Sequence, residues 1–466
     1  MSWMVLMALV TALACGLRSE GTALLPLASG WALVAAWLGP CAASVGSWVL
    51  VKRLKRGPAA DRQFLKDAEL LEGISLLLWS LGNAVWCCQA SPQAMQKWLA
   101  PLPAGMLPLV QVLSLLIPVL TLLGLTWLGL FQLQWGWHAA HLLRGEVHRE
   151  APRLLPYLGR LYRQNVLPLL LPAMVMLLIQ GVCALVLPQG AADAIASTTQ
   201  EGMSWQKIAV YGAMSVGVLG LVMVVSPWVI RWSWPSVPLG DAELQSAMRL
   251  TLAAAGCQVQ EIRVWQSQRH SFNAAIVGYI SPLRYLFVTE RLTHGLSSGA
   301  LQAVLRHEAA HVSSGHLLKR LLCMALVGIL WQYGESPVWQ AWNASLGISP
   351  TMAAVLLWGL TACYVVLLVG GYSRLLEYEA DSAACFDPLT KTLDRQSGEQ
   401  LIEALRRIYR GTSGSDWMHP PLKKRIAFLH AILEEPERGR RFQRRLAYVP
   451  YALAALGILL LWGVLV

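Results

Sequence analysis

Arg306-His307-Glu308-Ala309-Ala310-His311 is the stretch on which the reading of this chain turns. The surrounding residues read as helix, so the two histidines, four residues apart, lie about 40° from each other and can reach one point. Glu308 projects from nearly the same face. A catalytic zinc ion needs a few well-placed nitrogen or oxygen ligands, an open position and a nearby base, and HExxH supplies two ligands and the base. The same spelling also arises by chance on ordinary helices, so the rest of the chain has to account for a third ligand.

Outward from the motif, the composition is that of a membrane protein. Of 466 residues 56% are hydrophobic and 14% charged, with 21 tryptophans; a soluble globular chain carries about 25% charged residues. Apolar residues come in blocks near the length of about 20 that a bilayer-crossing helix needs. Met106 to Trp135 holds no charge at all. About nine spans are expected, at 3–17, 24–50, 69–89, 106–134, 166–187, 208–230, 320–334, 351–372 and 448–466. Residues 1–17 lack the positively charged start of a secretory signal and read as a retained anchor.

Basic residues orient the spans. Lys52, Arg53, Lys55, Arg56, Arg62 and Lys66 follow the second span, and Arg144, Arg149, Arg153, Arg160 and Arg163 follow the fourth. The loops 188–206 and 335–350 hold no Lys or Arg. By the positive-inside rule the basic loops, and with them HExxH, face the cytoplasm. The net charge of +11 is then a signal of topology and membrane-surface attraction, and no nucleic-acid partner is expected. The nine cysteines show no paired spacing, so no disulfide framework or cysteine zinc site is suggested. His138, His141 and His148 fall in a basic stretch expected to be an interfacial helix broken at Pro152 and Pro156.

Three regions follow: 1–230 with six spans, 231–447 with the chemistry and two more spans, and a last helix at 448–466. Asp241–Ala255 is expected to be helical and to end at Gly256. Strands are expected at Glu261–Gln266, Ser271–Val277 and Arg284–Thr289. Ser297 suits the cap of the HExxH helix, which reads as running without a stop into the 320–334 span. In that reading His316, five residues past His311, faces away as a surface histidine. The span at 351–372 likewise continues into Ser373–Glu377, so Glu377 lies at a height similar to the two histidines.

The segment Ser373-Arg374-Leu375-Leu376-Glu377-Tyr378-Glu379-Ala380-Asp381 resembles the SRxxExxAD signature of the membrane-integral zinc metallopeptidases that include HtpX and the CaaX prenyl proteases. The resemblance covers about 200 residues, from near Pro235 to near Leu433. It implies that Glu377 is the third ligand of one Zn²⁺ per chain and that Asp381 orients a ligating histidine; Glu379 points elsewhere by helical geometry and is expected to be solvated. Ser271-Phe272-Asn273-Ala274-Ala275, then Arg284-Tyr285-Leu286-Phe287-Val288-Thr289, resembles the family's NA-containing strand and its hydrophobic strand before the active-site helix, which implies that Asn273 and Ala274 bind substrate backbone by β-addition. His419-Pro420-Pro421 with Arg425-Ile426 resembles a further family element, which implies oxyanion stabilisation by His419 and a bracing or salt-bridge role for Arg425.

The fold implied is mainly α: a multi-pass transmembrane helical protein of about nine spans with a small α+β zincin-like domain of the gluzincin type on the cytoplasmic side. The implied activity is zinc-dependent endoproteolysis by His307, His311, Glu377 and the base Glu308. Its substrates are proteins or peptides of the bilayer, in quality control at a bacterial inner membrane. CaaX-type C-terminal processing or a signalling protease is the alternative within the enzyme class. An inactive scaffold or transporter is the rival outside it, disfavoured because the spans hold almost no ionisable groups.

Overall fold

In the computed structural model the residues described are 29–53, 58–89, 107–142, 151–168, 223–265, 273–334, 337–409 and 418–465, with isolated positions among 5–8, 170–174 and 217–221. Most of each expected span at 3–17, 166–187 and 208–230, together with Ser271 and Phe272, lies outside them. Internal contacts divide the chain into two compact units, Met1–Val218 and Leu219–Val466.

The described part of the first unit is helical: α1 (Ser29–Lys52), α2 (Pro58–Gln89), α3 (Leu107–Leu142) and α4 (Leu154–Asn165). Helices α1 and α2 pack backbone to backbone, because a Cβ on Gly82 would sit 2.0 Å from the Ala35 carbonyl oxygen. Small residues permit such approach where lipid offers no hydrophobic drive for association. The Trp79 indole N–H donates to the Val119 carbonyl at 3.2 Å and ties α2 to α3. Pro156, expected to break a helix, instead sits in the first turn of α4, where its missing N–H costs nothing.

The second unit opens with a helical stretch over 223–233 and continues through β1 (Ser236–Pro238), α5 (Ala242–Ala254), β2 (Glu261–Trp265), β3 (Ala274–Val277), β4 (Tyr285–Thr289) and α6 (Glu290–Gly295). Helices α7 (Ser298–Ser313), α8 (His316–Gly334), α9 (Pro337–Ser345) and α10 (Pro350–Cys363) follow. A π-helical segment, Tyr364–Val369, joins α10 to α11 (Gly370–Ala384). The chain ends with α12 (Arg395–Ile408), α13 (Leu422–Glu434), α14 (Pro436–Leu446) and α15 (Val449–Leu465).

Four helical segments among the described residues are long and apolar enough to cross a bilayer: Trp31–Lys52, Gln63–Cys87, Val112–Ala140 and Gly359–Ala384. Trp31, Leu81, Ile117 and Leu367 on them are exposed, as side chains facing lipid rather than water are.

The sheet has the order β1-β2-β4-β3. Strand β2 runs parallel to β4, while β1 and β3 are antiparallel to their neighbours. Every residue of β4, Tyr-Leu-Phe-Val-Thr, is buried, which is why its sequence is a continuous apolar run rather than an alternation. Ile262, Leu286 and Val288 pack with Leu301, Val304 and Leu305 of α7 in one core. A second core joins Leu401 and Leu405 of α12 to Leu429, Ile432 and Leu433 of α13. Helix α7 is buried on both flanks and lies between them.

One expectation fails here with consequences for the site. Helix α7 does not run on into the next span. Its Ser297 cap accepts from the Ala300 N–H at 3.3 Å as expected, but it stops at Ser313. Gly315 takes φ +65, a left-handed turn that ends helices and that residues with a Cβ adopt only at a cost. Helix α8 restarts at His316. Gly315→Ala is expected to lower stability by about 1 kcal/mol, read from denaturation of the detergent-purified protein; no loss would mean that this turn is not what ends α7.

Candidate active site

Helix α7 delivers His307, Glu308 and His311, and α11 delivers Glu377, two turns past the π-helical segment. His307 Nε2 lies 3.2 Å from His311 Nε2. Glu377 brings Oε1 to 3.5 Å from His311 Nε2 and Oε2 to 3.7 Å from His307 Nε2. Ligand atoms around a tetrahedral ion with bonds of about 2.0–2.1 Å sit about 3.3 Å apart. The observed spacings are within a few tenths of that, so these three side chains fit one small divalent metal ion with no main-chain movement. All their ligand atoms lie within 4.8 Å of one another.

Each histidine is held from behind. Asp381 Oδ1 lies 3.0 Å from His307 Nδ1. The same carboxylate takes two hydrogen bonds from Arg425 of α13, Nε at 2.8 Å and Nη2 at 2.6 Å, with both side chains buried. Asp381 thus stands between Arg425 and His307. His307 is pulled two ways. Burial disfavours its charge, but the Asp381 and Glu377 carboxylates outweigh this and raise it to about 9. His311 goes the opposite way, held well below its ordinary value by burial and by the neighbouring His307.

Glu308 lines a cavity of about 440 Å³ together with His307, His311, Glu377, His419 and Arg320. Burial, reinforced by Glu377, pushes its carboxyl up to about 7 against the pull of His307. A base poised near the operating pH is the efficient one. His419 sits across from the histidines, its Nε2 3.8 Å from Glu377 Oε1.

Strand β3 forms one wall. Asn273, Ala274, Ala275 and Ile276 all border the cavity. Asn273 is tied to Thr289 by backbone and hydroxyl hydrogen bonds of 2.9 and 3.0 Å. In the sheet order β3 is an outer strand, so the side away from β4 carries backbone groups without a strand partner among the described residues. The residues expected from sequence at 273, 274, 307, 308, 311, 377 and 419 therefore meet at one cavity, with Asp381 and Arg425 behind them.

Two expectations are corrected. His316 is not a surface residue: it is 1% exposed, and its Nδ1 lies 2.7 Å from His311 Nδ1. The angular argument that turned it away assumed a continuous helix, and the break at Gly315 removes that premise. Glu379 is not solvated either. It is buried, with Oε2 3.1 Å from His316 Nε2 and 2.8 Å from Lys319 Nζ. Sequence reasoning missed Arg320 altogether. Its Nη2 lies 3.4 Å from Glu377 Oε1, and its position one turn after His316 was the only available signal.

Residues 238–433 match the model of peptidase family M48. This segment belongs to peptidase family M48. Among curated relatives, the M48 segment is similar to Protease HtpX of Shewanella halifaxensis (strain HAW-EB4), 28% identical over 212 residues, covering 38% of this chain and 69% of the relative. Protease HtpX homolog of Janthinobacterium sp. (strain Marseille) is 23% identical over 265 residues, covering 50% of this chain and 89% of the relative. A crystal structure of S. mikatae Ste24p aligns with a TM-score of 0.45 at 14% identity, over 86% of this chain and 97% of that one. M48 is a family of peptidases, so proteins or peptides are the substrate class, and the membrane-length helices place this M48 segment in a membrane protein.

Proposed function

We propose that this chain is an integral-membrane, zinc-dependent metalloendopeptidase that cleaves membrane or membrane-associated proteins in quality control. One observation carries the reading: the convergence of His307, His311 and Glu377 within 4.8 Å, with Glu308 in the wall of the same cavity. Two imidazoles, one carboxylate and an open side suit a single catalytic Zn²⁺. When bound, the ion supplies Lewis-acid polarisation of a substrate carbonyl and a lowered pKa for water.

The chain's own residues do the rest. Glu308 accepts a proton at its carboxylate from the attacking water and returns it to the leaving amine. His419 donates its ring N–H toward the oxyanion of the tetrahedral intermediate. Asp381, gripped by Arg425, keeps the Nδ1 side of His307 occupied so that Nε2 presents its lone pair. Asn273 and Ala274 hold the substrate backbone along the outer side of β3. The basic loops favour nine spans with the site on the cytoplasmic face of a bacterial inner membrane, and domain boundaries at 230 and 447.

Protein purified from membranes is expected to carry close to one zinc ion per chain, and His307→Ala and Glu377→Ala to carry almost none. Metal analysis together with a peptide-cleavage assay checks this. A wild-type chain that cleaves peptides after its metal has been stripped would sink the reading.

A further inference from the structure

The two histidines of HExxH are supported differently. Behind His307 stands a carboxylate clamped by a guanidinium; behind His311 stands another imidazole, that of His316. His316 in turn meets Glu379, and Glu379 is held by the Lys319 ammonium through both oxygens, at 3.0 and 2.8 Å. The four groups form a line from Lys319 through Glu379 and His316 to His311. Three of them (His316, Glu379 and Lys319) belong to no part of the mechanism above.

For a neutral His316, donor and acceptor logic leaves this line one consistent arrangement. An ionised carboxylate only accepts, so Glu379, already taking hydrogen bonds from Lys319, requires the proton of a neutral His316 to be on Nε2. That leaves Nδ1 of His316 as an acceptor. At 2.7 Å from it, His311 Nδ1 must then carry a hydrogen and donate. A neutral imidazole protonated on Nδ1 has its lone pair on Nε2. His311 Nε2 is the atom that faces His307 Nε2 and Glu377.

We propose that His316, anchored by Glu379 and Lys319, is a positioning residue that fixes the ring orientation and the tautomer of His311 and so presents its Nε2 to the metal. The proposal rests on the metal-site reading above. Its structural cause is the turn at Gly315, which swings the first residue of α8 back onto the last turn of α7. Groups behind a metal-ligating histidine commonly contribute about 10–100-fold to metal affinity.

The test is Zn²⁺ affinity of the full-length detergent-solubilised chain, measured by competition with a chromophoric chelator. His316→Leu, which fills the space without an acceptor, is expected to weaken binding about 10–100-fold. His316→Gln is the rescue, because its amide oxygen accepts from His311 while its NH₂ donates to Glu379; its affinity is expected within about threefold of wild type. Glu379→Gln is the isosteric control. Its amide can donate to His316 and so reverse the line, which would leave the lone pair of His311 on the wrong nitrogen, and it should bind zinc more weakly than wild type. Absorption of the Co²⁺-substituted protein should shift in His316→Leu and Glu379→Gln and be restored in His316→Gln. Wild-type affinity in His316→Leu, or a Gln variant as weak as Leu, overturns the proposal. His307→Ala separates the two levels: if it abolishes zinc binding while His316→Leu does not alter it, only this inference fails. If His307→Ala binds zinc like wild type, the metal-site reading itself fails.

Discussion

Glu308→Gln is expected to keep its metal and to lose about 10²–10⁴-fold in kcat/KM for peptide cleavage. The amide matches the carboxylate in size, so the cavity wall is undisturbed. Glu308 is not among the three side chains whose ligand atoms converge, so metal content should hold. What disappears is the ability to take up a proton, for which burial has tuned the native carboxyl to about 7. Measuring metal content and single-turnover cleavage on the same preparation distinguishes the cases. Retained metal with cleavage within a few-fold of wild type would remove Glu308 from the mechanism. Lost metal would make it a structural or ligating residue instead.

Arg425→Met should be the most destabilising single change at the site, by about 3–5 kcal/mol. Arg425 and Asp381 are 3% and 0% exposed and joined by two short hydrogen bonds. Removing the guanidinium strips the buried Asp381 carboxylate of both charge-assisted hydrogen bonds from Arg425, and it is that under-compensated charge which costs the most. The double variant Arg425→Met with Asp381→Leu removes both charges and should recover most of the stability, since buried ion pairs often give way to apolar pairs at little net loss. Metal affinity should not recover with it, because His307 Nδ1 still lacks its carboxylate. Denaturation midpoints and chelator competition on the three variants therefore separate holding the fold from aiming the ligand. Recovery of both properties in the double variant would show that Asp381 has no part in metal binding.

Much of this site could be read from the chain because its signals are local. His307, Glu308 and His311 follow from a fixed spacing on one helix. Ser297 and Asp241 are caps in the structure, each accepting from the N–H three residues on, as their residue types suggest. The strands at 261 and 285 announced themselves through β-branched and aromatic runs, whereas β1, three residues ending in Pro238, is too short to leave a periodic trace. The failures share one origin. His316 was placed by counting 100° per residue along a helix, and that arithmetic holds only while the helix holds. Ser313-Ser314-Gly315 carried the stop, but glycine inside an apolar helical pattern is ambiguous until its φ is known. Glu379 followed suit, because its burial depends on a partner that the count had turned away. Arg320 lay within the same misread segment.

The outer position of β3 bears on which chains are vulnerable. A polypeptide that pairs with this strand must offer free amide and carbonyl groups along several residues. Intact helices and sheets have already committed theirs, and a bilayer enforces that commitment more strictly than water does. Selectivity through such an edge would therefore discriminate by conformational state more than by side-chain identity: a membrane segment that has come unwound can be engaged, and its well-folded neighbour of the same sequence cannot.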